Sequence, residues 1–293
     1  AVIGYLNAAT LAAINLNACV WRRWRPCWRS CSTKGESVMK KLFLCLAALM
    51  MAGPALAAGG GDVVLKQKDW SFSGPFGSFD QAAMQRGLQA YVEVCSGCHS
   101  LDYVSFRNLA DLGYNEAEIK AIAAQYEVED GPNDDGDMFM RAALPADRFP
   151  APYANQNAAR AANNGAYPPD LSLIAKARAN GADYLYSLLT SYEEAPGDTE
   201  IPEGMYYNAA YSGHMIAMPQ PLYGDDLTYA DGAESSVEAI SADLVAFLAW
   251  TAEPALEKRK RTGVAVVAFL LILSVMSFGA MRFIWADVKK SKV

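Results

Sequence analysis

Arg86-Gly-Leu-Gln-Ala-Tyr-Val-Glu-Val-Cys95-Ser-Gly-Cys98-His99 is the stretch that decides how this chain folds. Ahead of it Asp80 is a ready N-cap, and Met84, Leu88, Tyr91, Val92 and Cys95 recur at helical spacing, which predicts a helix running from Asp80 into the cysteines. Two thiols at this spacing lie about one helical turn apart. Each can add to one of a haem's two vinyl groups, and the adjacent His99 then sits under the ring within reach of the iron. Cys95-x-x-Cys98-His99 is the pattern of covalent haem c attachment, and its single occurrence predicts one haem. A redox dithiol or a zinc knuckle would use the same cysteines. The first is expected after a thioredoxin-like strand, and the second needs another ligand pair.

The other four cysteines fall in segments not expected in the mature protein. From Met39 the chain reads two lysines, an apolar run from Leu42 to Met51, a Gly53-Pro54 break and the small triplet Ala55-Leu56-Ala57, the three parts of an export signal in order. Residues 39–57 are therefore expected to be a signal peptide. Residues 1–38, with Cys19, Cys27 and Cys31 and the Trp/Arg cluster at 21–28, are expected to be upstream or linker sequence outside the fold. Cys95 and Cys98 then remain as the only cysteines of the mature chain, so a disulfide framework is excluded.

Gly263 to Met281 carries no formal charge over nineteen residues. At 1.5 Å per residue it covers roughly 28 Å, close to the hydrocarbon thickness of a bilayer, so it is expected to be a single transmembrane helix. Four basic residues lie on each side of it, and the positive-inside count is a tie. The export signal breaks the tie: the body 58–257 is expected on the periplasmic side of the inner membrane, with 258–293 as the anchor and a short cytoplasmic tail.

The full-length formal charge of −7 hides a strong asymmetry. Between 59 and 257 stand ten basic and thirty acidic residues, a net of −20, while the two ends are basic. Such a body repels nucleic acid and anionic lipid and draws basic partners from a distance.

Along the mature chain the expectation is an all-α protein with long irregular loops. Asn115-Glu-Ala-Glu118 reads as a capping box before a helix to about Tyr126. The region 130–170, rich in Gly, Pro, Asn and Asp, reads as loop, followed by short helices at 170–179 and 182–192 and another loop at 196–231. A last soluble helix is expected from Ser236 to about Glu253, with Val237, Ile240, Leu244, Phe247 and Leu248 as its buried stripe. No strand shows convincing alternation.

The sixth iron ligand stays open on the residues alone. His214 and the methionines at 84, 138, 140, 205, 215 and 218 are the candidates. Met84 shares the helix of the haem cysteines, and Met138 and Met140 sit in an acidic loop. Met218 precedes Pro219, whose ring restricts the backbone before it. A methionine opposite histidine raises the potential and fills both axial positions, which suits electron transfer, whereas an open position suits a haem enzyme or sensor.

The stretch 86–99, with Asn163-Asn-Gly-Ala-Tyr-Pro-Pro-Asp-Leu-Ser-Leu-Ile-Ala-Lys-Ala-Arg178, Asp183-Tyr-Leu-Tyr-Ser-Leu-Leu-Thr190, Ile216-Ala-Met-Pro219, Ala252-Glu-Pro254 and the C-terminal anchor, resembles the cytochrome c1 family over about 70 to 290. The resemblance implies a cytochrome c-like haem domain with one transmembrane helix. It implies Met218 as sixth ligand and Asn163, Pro168, Pro169, Arg178 and Tyr184 lining the haem pocket, Arg178 as a donor to a propionate and the prolines as a rigid wall. It further implies membership of a cytochrome bc1 complex beside cytochrome b, with single electrons received from a Rieske iron-sulfur protein and delivered to a basic cytochrome c, membrane lipid around the anchor, and no substrate chemistry at this subunit. The alternative is a membrane-anchored monohaem cytochrome c of another electron-transport chain, or a haem enzyme or sensor with an open sixth site. Bacterial relatives often carry a longer insert with a cysteine pair before the ligand methionine. This chain has neither, and there it resembles the shorter mitochondrial form.

Overall fold

The helix anticipated from Asp80 is α1, Gln81–Ala90, and the Asp80 carboxylate accepts hydrogen bonds from the Ala82 and Ala83 amides. The computed structural model in which it is seen describes residues 63–290 apart from Asp198, so the upstream segment 1–38 and the signal 39–57 lie outside the described residues. Beyond Ala90 the helix widens into a π-turn, Tyr91–Cys95, where the Ser96 amide donates to the Tyr91 carbonyl at 2.8 Å. A wider turn shifts the helical phase of the residues beyond it. Met84, Leu88 and Tyr91 are accordingly buried, while Cys95 is left half-buried at the edge of the core.

Two short helices, α4 (Ile174–Ala177) and α5 (Gly181–Thr190), pack with α1 against α6, Val237–Ala252, which is capped by the Ser236 hydroxyl. Neighbours on several sides explain why the expected stripe on this last helix is too narrow. Val237 is only half-buried, whereas every residue from Leu244 to Ala252 is buried. The closest seam is with α1. A Cβ on Gly87 would stand 2.2 Å from the Asp243 carbonyl oxygen and 2.7 Å from the Phe247 Cβ, so only glycine lets the two backbones meet. Beside that contact Arg86 hydrogen-bonds Asp243 and Asp231.

A 3-10 helix, Phe106–Leu112, and α2, Glu116–Ala123, close the other flank. The capping box is present: Asn115 accepts from the Ala117 and Glu118 amides, and Glu118 accepts from the Asn115 amide at 2.8 Å. The helix ends short of Tyr126 because the chain turns at once into β1.

Two short antiparallel pairs form where the sequence shows no convincing alternation. β1 (Glu127–Asp130) pairs with β2 (Phe139–Ala142), and β3 (Tyr206–Tyr207) pairs with β4 (Met215–Ile216). The first is hard to read because its inward face, with Val128 against the core, is only half-buried, and the second has only two residues in each strand. The pairing of the first is secured by Arg141, which holds both Asp130 and Asp147. The supposed loop 130–170 also holds α3, Gln156–Ala162, capped by Asn155.

The last element, α7, runs from Leu256 to Lys290 and extends the charge-free stretch 263–281 at both ends. Its span Leu256–Ala286 has a mean hydropathy of 2.5 in its most apolar window, and none of that window is buried. A core helix of this composition would be covered by protein. With about 20 residues enough to cross a bilayer, α7 is the one candidate membrane span among the described residues, which otherwise form a mostly helical body.

Candidate functional site

Cys95, Cys98 and His99 leave the π-turn in one tight bend, the Cys98 and His99 amides both donating to the Cys95 carbonyl at 3.1 and 2.9 Å. Both thiols are free, Cys95 half-buried and Cys98 exposed. Burial, with a smaller push from Cys98, lifts the Cys95 thiol to about 12. An attacking redox thiol is ordinarily shifted the other way, down into the physiological range.

His99 is held on two sides. Its Nδ1 lies 2.7 Å from the Pro169 carbonyl oxygen, and its own carbonyl accepts from the Tyr91 hydroxyl at 3.1 Å. A carbonyl can only accept, so Nδ1 carries the proton and Nε2 keeps its lone pair for a ligand. Burial lowers the imidazole pKa, with the Pro169 bond and the Asp170 charge opposing, which favours the neutral form a metal requires.

Pro168-Pro169 is set against His99 by the next residue along. The Asp170 carboxylate accepts from the Ser100 hydroxyl (2.9 Å), the Asp102 amide (2.8 Å) and the Ser172 amide (2.9 Å). The Leu171 amide adds a bond to the Ser100 carbonyl at 3.0 Å, so 168–172 is stitched to 99–103. Asn163 joins from the end of α3: its amide donates to the Ala159 carbonyl and to the Tyr153 hydroxyl at 3.1 Å, and that hydroxyl lies 3.9 Å from the Cys98 sulfur. On α5, burial raises the Tyr184 phenol while the adjacent Arg178 guanidinium pulls it the other way. Arg178 itself is exposed and has no carboxylate partner among the described residues.

Met218 is fixed by a separate set of bonds. It follows β4 and is half-buried, and its carbonyl accepts from the Tyr192 hydroxyl at 3.0 Å. Asn208, fully buried at the end of β3, donates to the Leu188 carbonyl at 2.8 Å and receives the Ala210 amide, while its own amide reaches the His214 carbonyl. Tyr192 also bridges Asn208. These bonds tie the Met218 loop to the C-terminal end of α5 without a disulfide. His214 sits at the tip with a left-handed backbone (φ +59°), stacked on Tyr207 at 5.7 Å. Among the described residues no hydrogen bond links Met218 to His99 or to either cysteine.

Nothing in the residue pattern marks Tyr153, Tyr192 or Asn208 in advance. Asp170 does leave a signal: an Asp after two prolines that accepts from the amide two residues on is an Asx turn.

Two uncrosslinked thiols a turn apart and an imidazole whose Nε2 is left free by the bond at its other nitrogen fit the covalent attachment of an iron porphyrin. Exposed apolar side chains lie near the two prolines in sequence, Tyr167 at 41 % and Leu173 at 47 %.

Comparison with known proteins points the same way. The model of the Cytochrome C1 family matches residues 70–288. The chain is 45 % identical over 264 residues to "Cytochrome c1" of Rhodospirillum rubrum, covering 83 % of this chain and 97 % of that protein. It is 48 % identical over 240 residues to "Cytochrome b/c1" of Bradyrhizobium diazoefficiens, covering 74 % of this chain and only 35 % of that longer protein. It is 43 % identical over 225 residues to "Cytochrome b-c1 complex catalytic subunit, mitochondrial" of Candida albicans, covering 76 % and 78 %.

Proposed function

The chain belongs to the cytochrome c1 family, and from that premise we propose that it is the electron-transfer subunit of a cytochrome bc1 complex, carrying one covalent haem c and passing single electrons from a Rieske iron-sulfur protein to a cytochrome c. The observation that carries the reading is the directed imidazole of His99 beside two free thiols. Cys95 and Cys98 would hold the haem through thioether links, and His99 and Met218 would ligate its iron. Asn163, Pro168, Pro169, Arg178 and Tyr184 would line its pocket, the prolines as a rigid apolar wall and Arg178 as a charge-assisted donor to a propionate. When bound, the haem supplies a one-electron iron couple whose potential its axial ligands set. The chain's own residues hold and orient, and move no proton in a substrate, so oxidoreductase activity belongs to the assembled complex.

On this reading residues 58–257 form the periplasmic domain and 258–293 the anchor with a cytoplasmic tail in the inner membrane, after removal of 39–57. The anchor packs beside cytochrome b and is otherwise bathed in lipid. The acidic body attracts a basic cytochrome c and offers nothing to nucleic acid.

The test is to produce the chain with its haem-attachment machinery and weigh it after denaturation. One haem mass should survive, and it should be lost when both cysteines are changed to serine; a polypeptide of bare mass sinks the proposal. Met218→Leu should keep the haem mass, lower the reduction potential and let an external ligand bind. An unchanged potential would remove Met218 from the iron.

A further inference from the structure

Between α1 and the chain around α2 lies a groove of about 380 Å³, along the face of α1 that carries Ala82, Gln85, Gln89 and Glu93. We propose that this groove binds a linear aliphatic polyamine, its ammonium groups on Glu93 and on the amide oxygens of Gln85 and Gln89. None of these residues belongs to the site at Cys95, Cys98, His99 and Met218.

The lining is rich in acceptors and has spent its donors. The Gln85 side-chain nitrogen donates to the Leu112 carbonyl at 2.8 Å, and that of Gln89 donates to the Thr228 carbonyl at 3.2 Å and the Glu93 carboxylate at 2.8 Å. A carbonyl only accepts, so these bonds orient both amides and leave each amide oxygen without a donor among the described residues. All three Arg86 nitrogens are held by Asp243 and Asp231. One guanidinium between two carboxylates leaves a negative charge over. Glu93, exposed and in no ion pair among the described residues, adds a second. Tyr229 is buried in the same field: burial lifts its phenol to about 12, with Asp243, Glu93 and Asp231 adding and Arg86 opposing.

The groove is long and partly apolar, which selects among cations. Ala82 and Glu93 stand eleven positions apart along α1 and its π-turn, roughly 16 Å at 1.5 Å per residue. Leu88, Val92 and Ile122 supply apolar surface beside the polar groups, and Tyr114, Tyr126 and Tyr229 add rings whose faces attract a cation. The volume lies near the lower end of small-molecule sites, roughly 300–1,000 Å³. An inorganic cation would use Glu93 and the amide oxygens but not the apolar surface. Methylenes strung between ammonium groups use all of it. An anion would meet only acceptors, on a body whose formal charge between 59 and 257 is −20.

The experiment titrates the full chain in detergent with spermidine, butylamine or hexaamminecobalt(III) by isothermal calorimetry, at about 0.1 M salt to screen diffuse attraction. One spermidine should bind per chain, roughly tenfold more tightly than butylamine, since each further ammonium on an acceptor is worth a few-fold. It should also outbind the cobalt complex, which has the charge without the methylenes. Glu93→Gln should weaken spermidine about fivefold, the order of an exposed ion pair. Ala82→Trp, which fills the groove from an exposed position, should abolish the binding, and Asp135→Asn on the turn between β1 and β2 should leave it unchanged. If Ala82→Trp lowers the Tm, Glu93→Gln decides alone. Carbodiimide coupling, which joins an amine to a carboxylate with loss of water, should attach spermidine to Glu93 ahead of other exposed carboxylates. Equal affinity for spermidine and the cobalt complex, an affinity unmoved by Glu93→Gln, or several molecules bound per chain at one affinity would each overturn the proposal. So would coupling in membranes without added amine that joins Glu93 to a lysine of another polypeptide, because the groove would then be a protein docking surface.

Discussion

Tyr192 donates its hydroxyl hydrogen to the main-chain carbonyl of Met218, the residue proposed to complete the iron's ligands. A thioether is a weak ligand, so a loop free to swing would let it go; a bond at the ligand residue itself restrains the point that matters most. Tyr192→Phe removes only that hydrogen bond, worth about 1 kcal/mol. The thioether-to-iron absorbance of the oxidised protein should therefore be lost at lower denaturant concentration than in the parent, while haem attachment is unchanged. Coincident titrations would show that Tyr192 does not restrain the loop. Asn208 is the more severe case, because it is fully buried and its side chain both donates and accepts. Asn208→Ala strands the Leu188 carbonyl and the Ala210 amide, and should cost about 2–3 kcal/mol in thermal or chemical unfolding.

The seam between α1 and α6 supports the Cys-x-x-Cys-His turn, and two neighbouring residues govern it in different ways. Gly87→Ala must push the Asp243 backbone aside, and overpacking of this kind costs roughly 1–3 kcal/mol, read as a lower Tm with the haem retained. Arg86 acts through charge. Burial raises the Asp243 carboxyl above its ordinary pKa in spite of the guanidinium beside it, so Arg86→Gln leaves a half-buried carboxylate with no cation. A folded-state pKa raised above the unfolded one contributes stability below the unfolded pKa and loses it as pH rises through the folded value. The penalty of Arg86→Gln should therefore be large at pH 7, about 3 kcal/mol for a broken buried pair, and shrink toward pH 4; denaturant midpoints at the two pH values measure it, and a constant penalty would rule out the carboxylate as its source. Legibility follows the same line between local and tertiary causes. The Asp80 and Asn115 caps, the Cys-x-x-Cys-His turn and the charge-free span of α7 are local chemistry and are readable from the residues. The π-turn, the all-round burial of α6 and the two hairpins are not, because each depends on what packs nearby: α6 is enclosed by α1, α4 and α5, and β1 with β2 is secured by Arg141 reaching two separated aspartates. At the site the thiols and His99 announce themselves by spacing, while Tyr153, Tyr192 and Asn208 act through bonds between separated segments that leave no pattern.

At the scale of the whole molecule the distribution of charge outweighs its total. Thirty acidic and ten basic residues between 59 and 257 make a field no single pair creates, and part of it is displayed on the exposed turn between β1 and β2, where Asp134, Asp135 and Asp137 stand free of ion pairs among the described residues. Many weak, solvated contributions steer an approaching partner without fixing it tightly, which is what a carrier that must also depart requires. Such steering is screened: the Debye length falls from about 30 Å at 0.01 M salt to about 10 Å at 0.1 M. The second-order rate of electron delivery to a strongly basic cytochrome c should then drop by about tenfold or more across that range, while delivery to a neutral acceptor of similar potential stays nearly flat. Because the field is shared, Asp135→Asn alone should change the low-salt rate less than twofold, whereas neutralising Asp134, Asp135 and Asp137 together should flatten the salt dependence measurably. Stopped-flow reduction at two ionic strengths distinguishes the cases, and a rate to the basic acceptor that ignores salt would show that the acidity of this body serves solubility and not encounter.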